Sequence, residues 1–319
     1  MSTESHRIDV HHHIVPPEYV KALSDRGITE SGGMPFPQWG ADTALDLMDR
    51  HSIETAITSI SCPGVYFGDL AFARDLARRC NEISARLVSD HPQRFGAFAV
   101  LPLPDVEAAL LELEYALDTL KLDGVTLLAS IGNQYLGDPA FDALFAELNR
   151  RKTVVFIHPA VPPGSDVPKL ILPPSLVEFT FDTTRAVTNL LFSGTLERYP
   201  DIRFILSHAG GTVPYLAWRI SLGEWLPGMI ERVPQGVIAY LKRLYYDTAL
   251  STTSYTLRSL QELVDISQII FGSDYPFLPE PAIAATIADL QGYDGFDEKA
   301  RAAIEHDNAL GLFPRLKQT

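Results

Sequence analysis

The sequence predicts an α/β protein folded as a single (β/α)8, or TIM, barrel. Three observations support this: eight short β-rich runs recur along the chain, helical segments lie between them, and 46% of the 319 residues are apolar. Most of the runs are continuously apolar, as in VVFIH and RFILSH, which is typical of parallel strands covered on both faces. Eight alternating units favour a barrel, with a doubly wound open sheet as the weaker alternative.

The elements follow one another from the first strand to the last without an internal repeat or a linker, so we expect one domain over residues 1–319. The Pro-rich segment Pro159–Ser175 is expected to be a loop that shapes or covers the site. Helical patterns predict helices over Leu70–Asp90, Asp105–Leu120, Asp138–Arg151 and Ser175–Tyr199. The predicted strands are Arg7–His13, Thr55–Ile60, Phe95–Leu103, Gly124–Ala129, Thr153–His158, Arg203–His208, Leu244–Ala249 and Ile269–Asp274.

Composition excludes several classes of partner. A net charge of −14 argues against binding to nucleic acid or to an anionic membrane surface. No run approaches the ~18 consecutive apolar residues of a membrane span, and the polar start Met1–Arg7 predicts no secretory signal. Cys62 and Cys80 are too few for a disulfide framework, so we expect free thiols and a cytoplasmic protein. With nucleic acid and membranes disfavoured, we expect the partner to be a small molecule.

Residues able to bind a metal or move a proton stand at the ends of predicted strands. In the run RIDVHHH, alternation along a strand puts His11 and His13 on one face and His12 on the other. The carboxyl ends of barrel strands converge at one mouth, where active sites form. The other strand-end candidates are His158 on strand five, His208 on strand six and Asp274 on strand eight.

The motifs HxH, FIHPA, LSHAGG and FGSDYPF, in this order, resemble those of the amidohydrolase superfamily. Within it, the chain is similar to the amidohydrolase-2 group of nonoxidative decarboxylases, which includes aminocarboxymuconate semialdehyde decarboxylase and several hydroxybenzoate decarboxylases. The resemblance runs from Ile8 to the terminal NALGLF segment. It implies that one divalent metal is bound by His11, His13, His158 and Asp274, and that His208 contacts metal-bound water or substrate.

The donor set suits zinc first and also accepts manganese. A single ion is expected because the fourth strand, GVTLLAS, has no lysine where dinuclear members of the superfamily carry a modified one. Asp274 and His208 are the two candidates for the proton donor, and the sequence leaves both open.

The resemblance also bears on the substrate. The aminocarboxymuconate enzyme uses an arginine from the loop after strand one, but the matching loop here, Gly27–Asp42, contains no Arg or Lys. Its second arginine, after strand six, is matched by Arg219, and such an arginine reaches the neighbouring subunit's site, which implies a homodimer or homotetramer. Phe36 and Trp39 either stack on an aromatic ring or pack in a lid or in the core. We therefore expect the substrate to be a small aromatic monocarboxylate of the salicylate type, and 6-methylsalicylate is the first substrate to test.

Two other functions use the same residues. A mononuclear site could hydrolyse a lactone or an amide, with His208 activating the metal-bound water. A purely structural metal is disfavoured, because structural zinc sites favour cysteine ligands and neither Cys62 nor Cys80 ends a predicted strand.

Overall fold

A computed structural model describes residues 6–162 and 170–318 of the protein. Eight strands form one sheet in which each neighbouring pair is parallel and the spatial order follows the chain. The predicted TIM barrel is confirmed. Its strands are β1 (Arg7–His13), β2 (Ile53–Ser59), β3 (Phe95–Val100), β4 (Gly124–Leu128), β5 (Val154–His158), β6 (Arg203–Leu206), β7 (Tyr245–Asp247) and β8 (Ile269–Ile270).

Helices connect the strands on the outside of the barrel. Two of these helices follow a residue whose side chain caps them: Asp69 accepts a hydrogen bond from Phe72 N, and Asp105 accepts one from Ala108 N. The helices are α1 (Pro17–Ser24), α2 (Ala41–Arg50), α3 (Leu70–Asp90), α4 (Val106–Glu114), α5 (Asp142–Arg151), α6 (Pro174–Phe192), α7 (Thr195–Arg198), α8 (Val213–Ser221), α9 (Val237–Leu241), α10 (Ser254–Leu263), α11 (Glu280–Gly292), α12 (Glu298–Ala302) and α13 (Asn308–Leu312). Among the described helices, none has the length and apolar character that crossing a membrane requires.

The barrel closes where the chain beyond β8 lies along β1. Val10 N donates to Phe271 O at 3.0 Å, and Asp274 N donates to His11 O at 2.8 Å. One step further, the amide of His13 donates to the carbonyl of Tyr275 at 2.7 Å. We call this contact the β1–β8 seam. It brings the end of the eighth unit beside the histidines of β1.

The interior of the barrel has its own apolar core, separate from the larger core between strands and helices. Val10 and Phe156 belong to this inner cluster, and Phe313 from the C-terminal segment packs into it. The pairing of β1 with β2 shifts between Asp9 and His12. Because of this irregularity, both Val10 and His11 face the interior: the His11 ring lies 4.9 Å from that of Phe156.

Most predicted boundaries differ from the structure by a few residues, and three of the differences bear on the site. β6 ends at Leu206, and His208 begins a short 3-10 turn with φ 53°. β8 pairs regularly only over Ile269–Ile270, so Asp274 lies beyond the strand, and its φ angle is 61°. Within the predicted loop Pro159–Ser175, residues 163–169 lie outside the described part, and α6 already begins at Pro174.

Candidate metal centre and active site

Four side chains predicted to bind a metal come together at the carboxyl end of the barrel. One donor atom from each of His11, His13, His158 and Asp274 lies within 4.8 Å of the others, and all four residues are buried. The Asp274 Oδ1 atom is 3.3 Å from His11 Nε2 and 3.2 Å from His13 Nε2. The two Nε2 atoms are 3.0 Å apart. This arrangement is a buried His/His/His/Asp metal site.

Each imidazole is oriented by a second contact through its Nδ1 atom. His11 Nδ1 lies 2.7 Å from Asp247 Oδ2, and His13 Nδ1 lies 2.8 Å from Ser59 Oγ. His158 Nδ1 lies 2.8 Å from its neighbour's carbonyl, Pro159 O. Because Nδ1 is occupied in all three, the Nε2 atoms are left to face the centre, which is the arrangement of ligating histidines in metalloproteins.

The electrostatics of the cluster favour a cation. Burial lowers the pKa of His11, but the carboxylates of Asp247 and Asp274 outweigh it and raise that pKa to about 10. Burial lowers the pKa of His13 to about 4 and holds that of His158 well below its usual range. Burial raises the pKa of Asp274, but the adjacent histidines, His11 foremost, hold it well below its usual range. His13 and His158 are therefore neutral donors beside an ionised carboxylate, and a bound divalent metal would displace the proton that the two carboxylates hold on His11.

Asp247, at the end of β7, was missed by the sequence analysis. Its Oδ2 atom contacts His11, while its Oδ1 atom accepts hydrogen bonds from His208 N at 2.8 Å and from Ala249 N at 3.0 Å. One carboxylate thus connects a metal-site histidine to the backbone of His208. A partial signal was present, because Asp247 lies in the carboxyl-terminal half of the predicted strand Leu244–Ala249.

His208 lies at the accessible side of the centre. Its Nε2 atom is 3.4 Å from Asp274 Oδ2, and its Nδ1 atom is buried with no hydrogen-bond partner among the described residues. His208 and Asp274 are 8% and 7% exposed, whereas His11 and His13 are fully buried. His208 and Asp274 are therefore the two residues of the centre most open to solvent.

A cavity of about 310 Å³ opens at the barrel mouth over the ends of β2 to β5. Its walls include Ile60, next to the Ser59 that contacts His13, and Ala160, two residues beyond His158. Glu30 is the one charged residue on the described walls. Cys62, Leu128 and Ala160 form an apolar cluster with Phe179, whose ring lies edge-on 6.0 Å from that of His158. The cavity is therefore an apolar compartment beside the metal site.

The structure places the three predicted substrate-binding residues elsewhere. Phe36 and Trp39 are partly buried against the outer core, with the Phe36 ring 6.1 Å from that of Tyr19. Arg219 is exposed on α8, beside the exposed Trp218. None of the three is among the residues that line the described cavity. Their role in binding substrate stays a prediction.

A barrel with a buried three-histidine, one-aspartate centre at its carboxyl end defines a metal-dependent enzyme of the amidohydrolase type. Comparison with known proteins agrees: the chain belongs to the amidohydrolase family, which matches residues 8–315, and within it to the decarboxylase group that includes the aminocarboxymuconate semialdehyde enzyme. Both parts of the predicted resemblance are confirmed.

Three relatives illustrate this membership. A 6-methylsalicylic acid decarboxylase of Penicillium expansum is 38% identical over 316 residues, covering 98% of this chain and 97% of the relative. The structure of a 2,6-dihydroxybenzoate decarboxylase complexed with 2,6-dihydroxybenzoate superposes with a TM-score of 0.82 at 25% identity, covering 97% and 99% of the two chains. A dihydroxybenzoic acid decarboxylase from Polaromonas, with bound manganese and 2-nitroresorcinol, superposes with a TM-score of 0.79 at 25% identity, covering 97% and 96%. These relatives are decarboxylases, and the predicted enzyme class, carboxy-lyase, is confirmed.

Proposed function

We propose that this chain, acting as one domain over residues 1–319, is a metal-dependent nonoxidative decarboxylase of a small aromatic hydroxy acid. Our preferred substrate is 6-methylsalicylate. The observation that carries the proposal is the juxtaposition of a buried His/His/His/Asp centre with an apolar cavity large enough for one substituted ring. The 38% identity with a 6-methylsalicylic acid decarboxylase over nearly the whole chain supports the choice of substrate.

The metal is held in this proposal by His11, His13, His158 and Asp274. A divalent ion held there would supply a Lewis acid that favours the phenolate form of the substrate's ortho hydroxyl group. Zinc is our expectation from the donor set, with manganese as the alternative supported by the Polaromonas relative. Elemental analysis of protein purified without added metal distinguishes them.

The chemical step needs a proton at the ring carbon that bears the carboxylate. His208 Nε2 and Asp274 Oδ2, 3.4 Å apart at the accessible side of the centre, hold that proton and deliver it to the ring carbon. The bond to the carboxylate then breaks, its electron pair returns to the ring, and CO2 leaves. Protonation first avoids a ring anion, and the electron-releasing ortho oxygen stabilises the protonated ring.

The cavity supports a monocarboxylate substrate. Its apolar residues, such as Cys62, Leu128 and Ala160, can accept a ring and a methyl group. Glu30 on the same described walls would repel a second carboxylate. A dicarboxylate of the muconate type is therefore disfavoured.

The test is to incubate the metal-loaded protein with salicylate, 6-methylsalicylate and their ortho-methoxy analogues, and to measure CO2 release. The free hydroxy acids should turn over and the methoxy analogues should not, because methylation removes the anionic oxygen and weakens its electron release. A parallel panel of lactones and amides is followed for the acids that hydrolysis would release. Hydrolysis without CO2 release, or turnover of a muconate-type dicarboxylate alone, would contradict the proposal.

We further propose that the enzyme is a homodimer or homotetramer assembled through α8. Three aromatic side chains on and just after this helix are largely exposed: Tyr215 at 83%, Trp218 at 71% and Trp225 at 82%. Exposed aromatic side chains of this kind are enriched at interfaces, and Arg219 is exposed on the same helix, from which it could contact a second copy. Trp218→Glu should reduce the sedimentation coefficient to that of a monomer. Arg219→Ala should raise KM or weaken assembly.

A further inference from the structure

A second buried carboxylate, Asp9, lies behind the metal centre and is not one of its ligands. Asp9 is fully buried, and its Oδ1 atom accepts hydrogen bonds from His11 N and Ser273 N, both at 3.0 Å. Its Oδ2 atom accepts from Ser273 Oγ at 2.5 Å and from His12 Nδ1 at 3.0 Å. Burying a carboxylate is unfavourable unless hydrogen bonds satisfy it, so four donors around one carboxylate indicate a well-defined position.

Two of those donors belong to Ser273, the residue immediately before the metal-site aspartate. Asp274 has φ 61°, a conformation that non-glycine residues seldom adopt and that surrounding contacts must maintain. Ser273 Oγ also accepts a hydrogen bond from Tyr275 N at 3.1 Å. On the other side of this turn, a Cβ atom at Gly272 would lie only 2.7 Å from His11 Cβ, so the turn packs directly against β1.

We propose that Asp9 is a positioning residue of the metal centre. Through Ser273 it fixes the turn over residues 272–275, so that Asp274 presents Oδ1 at 3.2–3.3 Å from the Nε2 atoms of His11 and His13. Asp9 is on the same strand as those histidines and also bonds the amide of His11, so one carboxylate sets the relative position of both sides of the centre. This role concerns metal binding and is independent of which acid the enzyme consumes.

The test compares Asp9→Asn and Ser273→Ala with the wild-type protein, using Co²⁺ as the probe and no substrate. Affinity is measured by competition with a chromophoric chelator, and coordination geometry by the visible absorption of the Co²⁺-loaded protein. Changes to groups that orient a ligand typically weaken metal binding ~10–100-fold, and we expect that range for both variants. The Co²⁺ absorption bands should shift, because Asp274 is no longer held in place.

Thr58→Val is the matched control. Thr58 is fully buried on β2 and donates through Oγ1 to Gly96 O at 3.0 Å, so the variant loses one buried hydrogen bond away from the turn. It should keep the Co²⁺ affinity and spectrum of the wild type. Thermal unfolding establishes that each variant is folded, and Ser273→Ala decides the question if Asp9→Asn does not fold.

Two results would overturn the proposal. One is a folded Ser273→Ala protein whose Co²⁺ affinity and spectrum match those of the wild type. The other is a Thr58→Val protein that loses affinity to the same extent, which would mean that any buried hydrogen bond in the barrel matters equally. Failure of the decarboxylase proposal would leave both readouts unaffected.

Discussion

The two sides of the barrel mouth differ in their chemistry. The side formed by β1, β7 and the chain after β8 carries ionisable groups that contact one another, among them His11, Asp247 and Asp274. The side formed by the ends of β2 to β4 is lined mostly by apolar residues such as Ile60 and Leu128. The difference predicts two kinds of effect. Substitutions on the first side should change metal binding and the reaction rate, and those on the second should change the selectivity among acids.

The largest effect is expected at the ligands. His158→Ala and Asp274→Ala should each abolish stoichiometric metal binding and reduce CO2 release to background. In either variant only three of the four donor side chains are left to bind the ion. Metal is measured by mass spectrometry after gel filtration, with Thr58→Val as the control for folding. Retention of one equivalent of metal in either variant would show that the ligand set is wrong.

His208→Ala should separate reactivity from metal binding on the same side of the mouth. The variant should retain its metal, because His208 lies beside the four ligands and is not one of them. Its rate should fall by ~10²–10⁴-fold, the range for loss of a general acid or base. Metal content and single-turnover CO2 release provide the two measurements. If the metal is lost as well, His208 is a fifth ligand and the proton-delivery proposal fails.

On the apolar side, Ala160→Leu should change selectivity. The larger side chain fills cavity space beside the centre, so kcat/KM for 6-methylsalicylate should fall by ~10–100-fold relative to salicylate, since one methyl group in a pocket is worth about 1–3 kcal/mol. Metal content should stay at the wild-type level. Leu128→Ala enlarges the same cavity and should raise kcat/KM for acids with larger 6-alkyl groups relative to 6-methylsalicylate. An equal loss of kcat/KM for both acids in Ala160→Leu would show that the methyl group does not bind in this cavity.

His12→Ala should have the smallest effect. His12 is fully buried, and its ring packs 4.8 Å from that of Tyr275 while Nδ1 contacts Asp9. Asp9 keeps its other three hydrogen bonds in the variant, so metal content should remain near that of the wild type. His11→Ala is the matched comparison and should lose the metal. The reverse result would mean that β1 presents the opposite face to the barrel interior.

Where local signals are strong, the sequence predicts the fold to the residue. Arg7–His13 and Leu70–Asp90 have the predicted bounds, the first because it is a compact β-rich run and the second because a capping aspartate precedes a long amphipathic pattern. The boundaries at His208 and Asp274 could not be predicted in this way. Both residues have positive φ angles that tertiary hydrogen bonds maintain, and hydrophobic periodicity carries no information about them.

The ligand set was predictable for a different reason. His11, His13, His158 and Asp274 end predicted strands, and a barrel brings strand ends to one mouth whatever the details of packing. The contacts that orient these ligands were not predictable, although Asp9 and Asp247 both lie on predicted strands, because the two carboxylates act through hydrogen bonds between distant parts of the chain. The irregularity in β1 that lets Val10 and His11 both face inward is equally a product of pairing with β2.

The β1–β8 seam has a consequence for how the protein acquires its metal. During synthesis the N-terminal histidines emerge long before Asp274, so the centre can be completed only after nearly the whole chain has left the ribosome and the last unit has docked. A bound ion then joins the two ends of the barrel and stabilises the folded state by mass action, since the unfolded chain offers no assembled site. Metal loading therefore follows the docking of the last barrel unit, and protein made in a metal-poor cell should be less stable than the metal-loaded form.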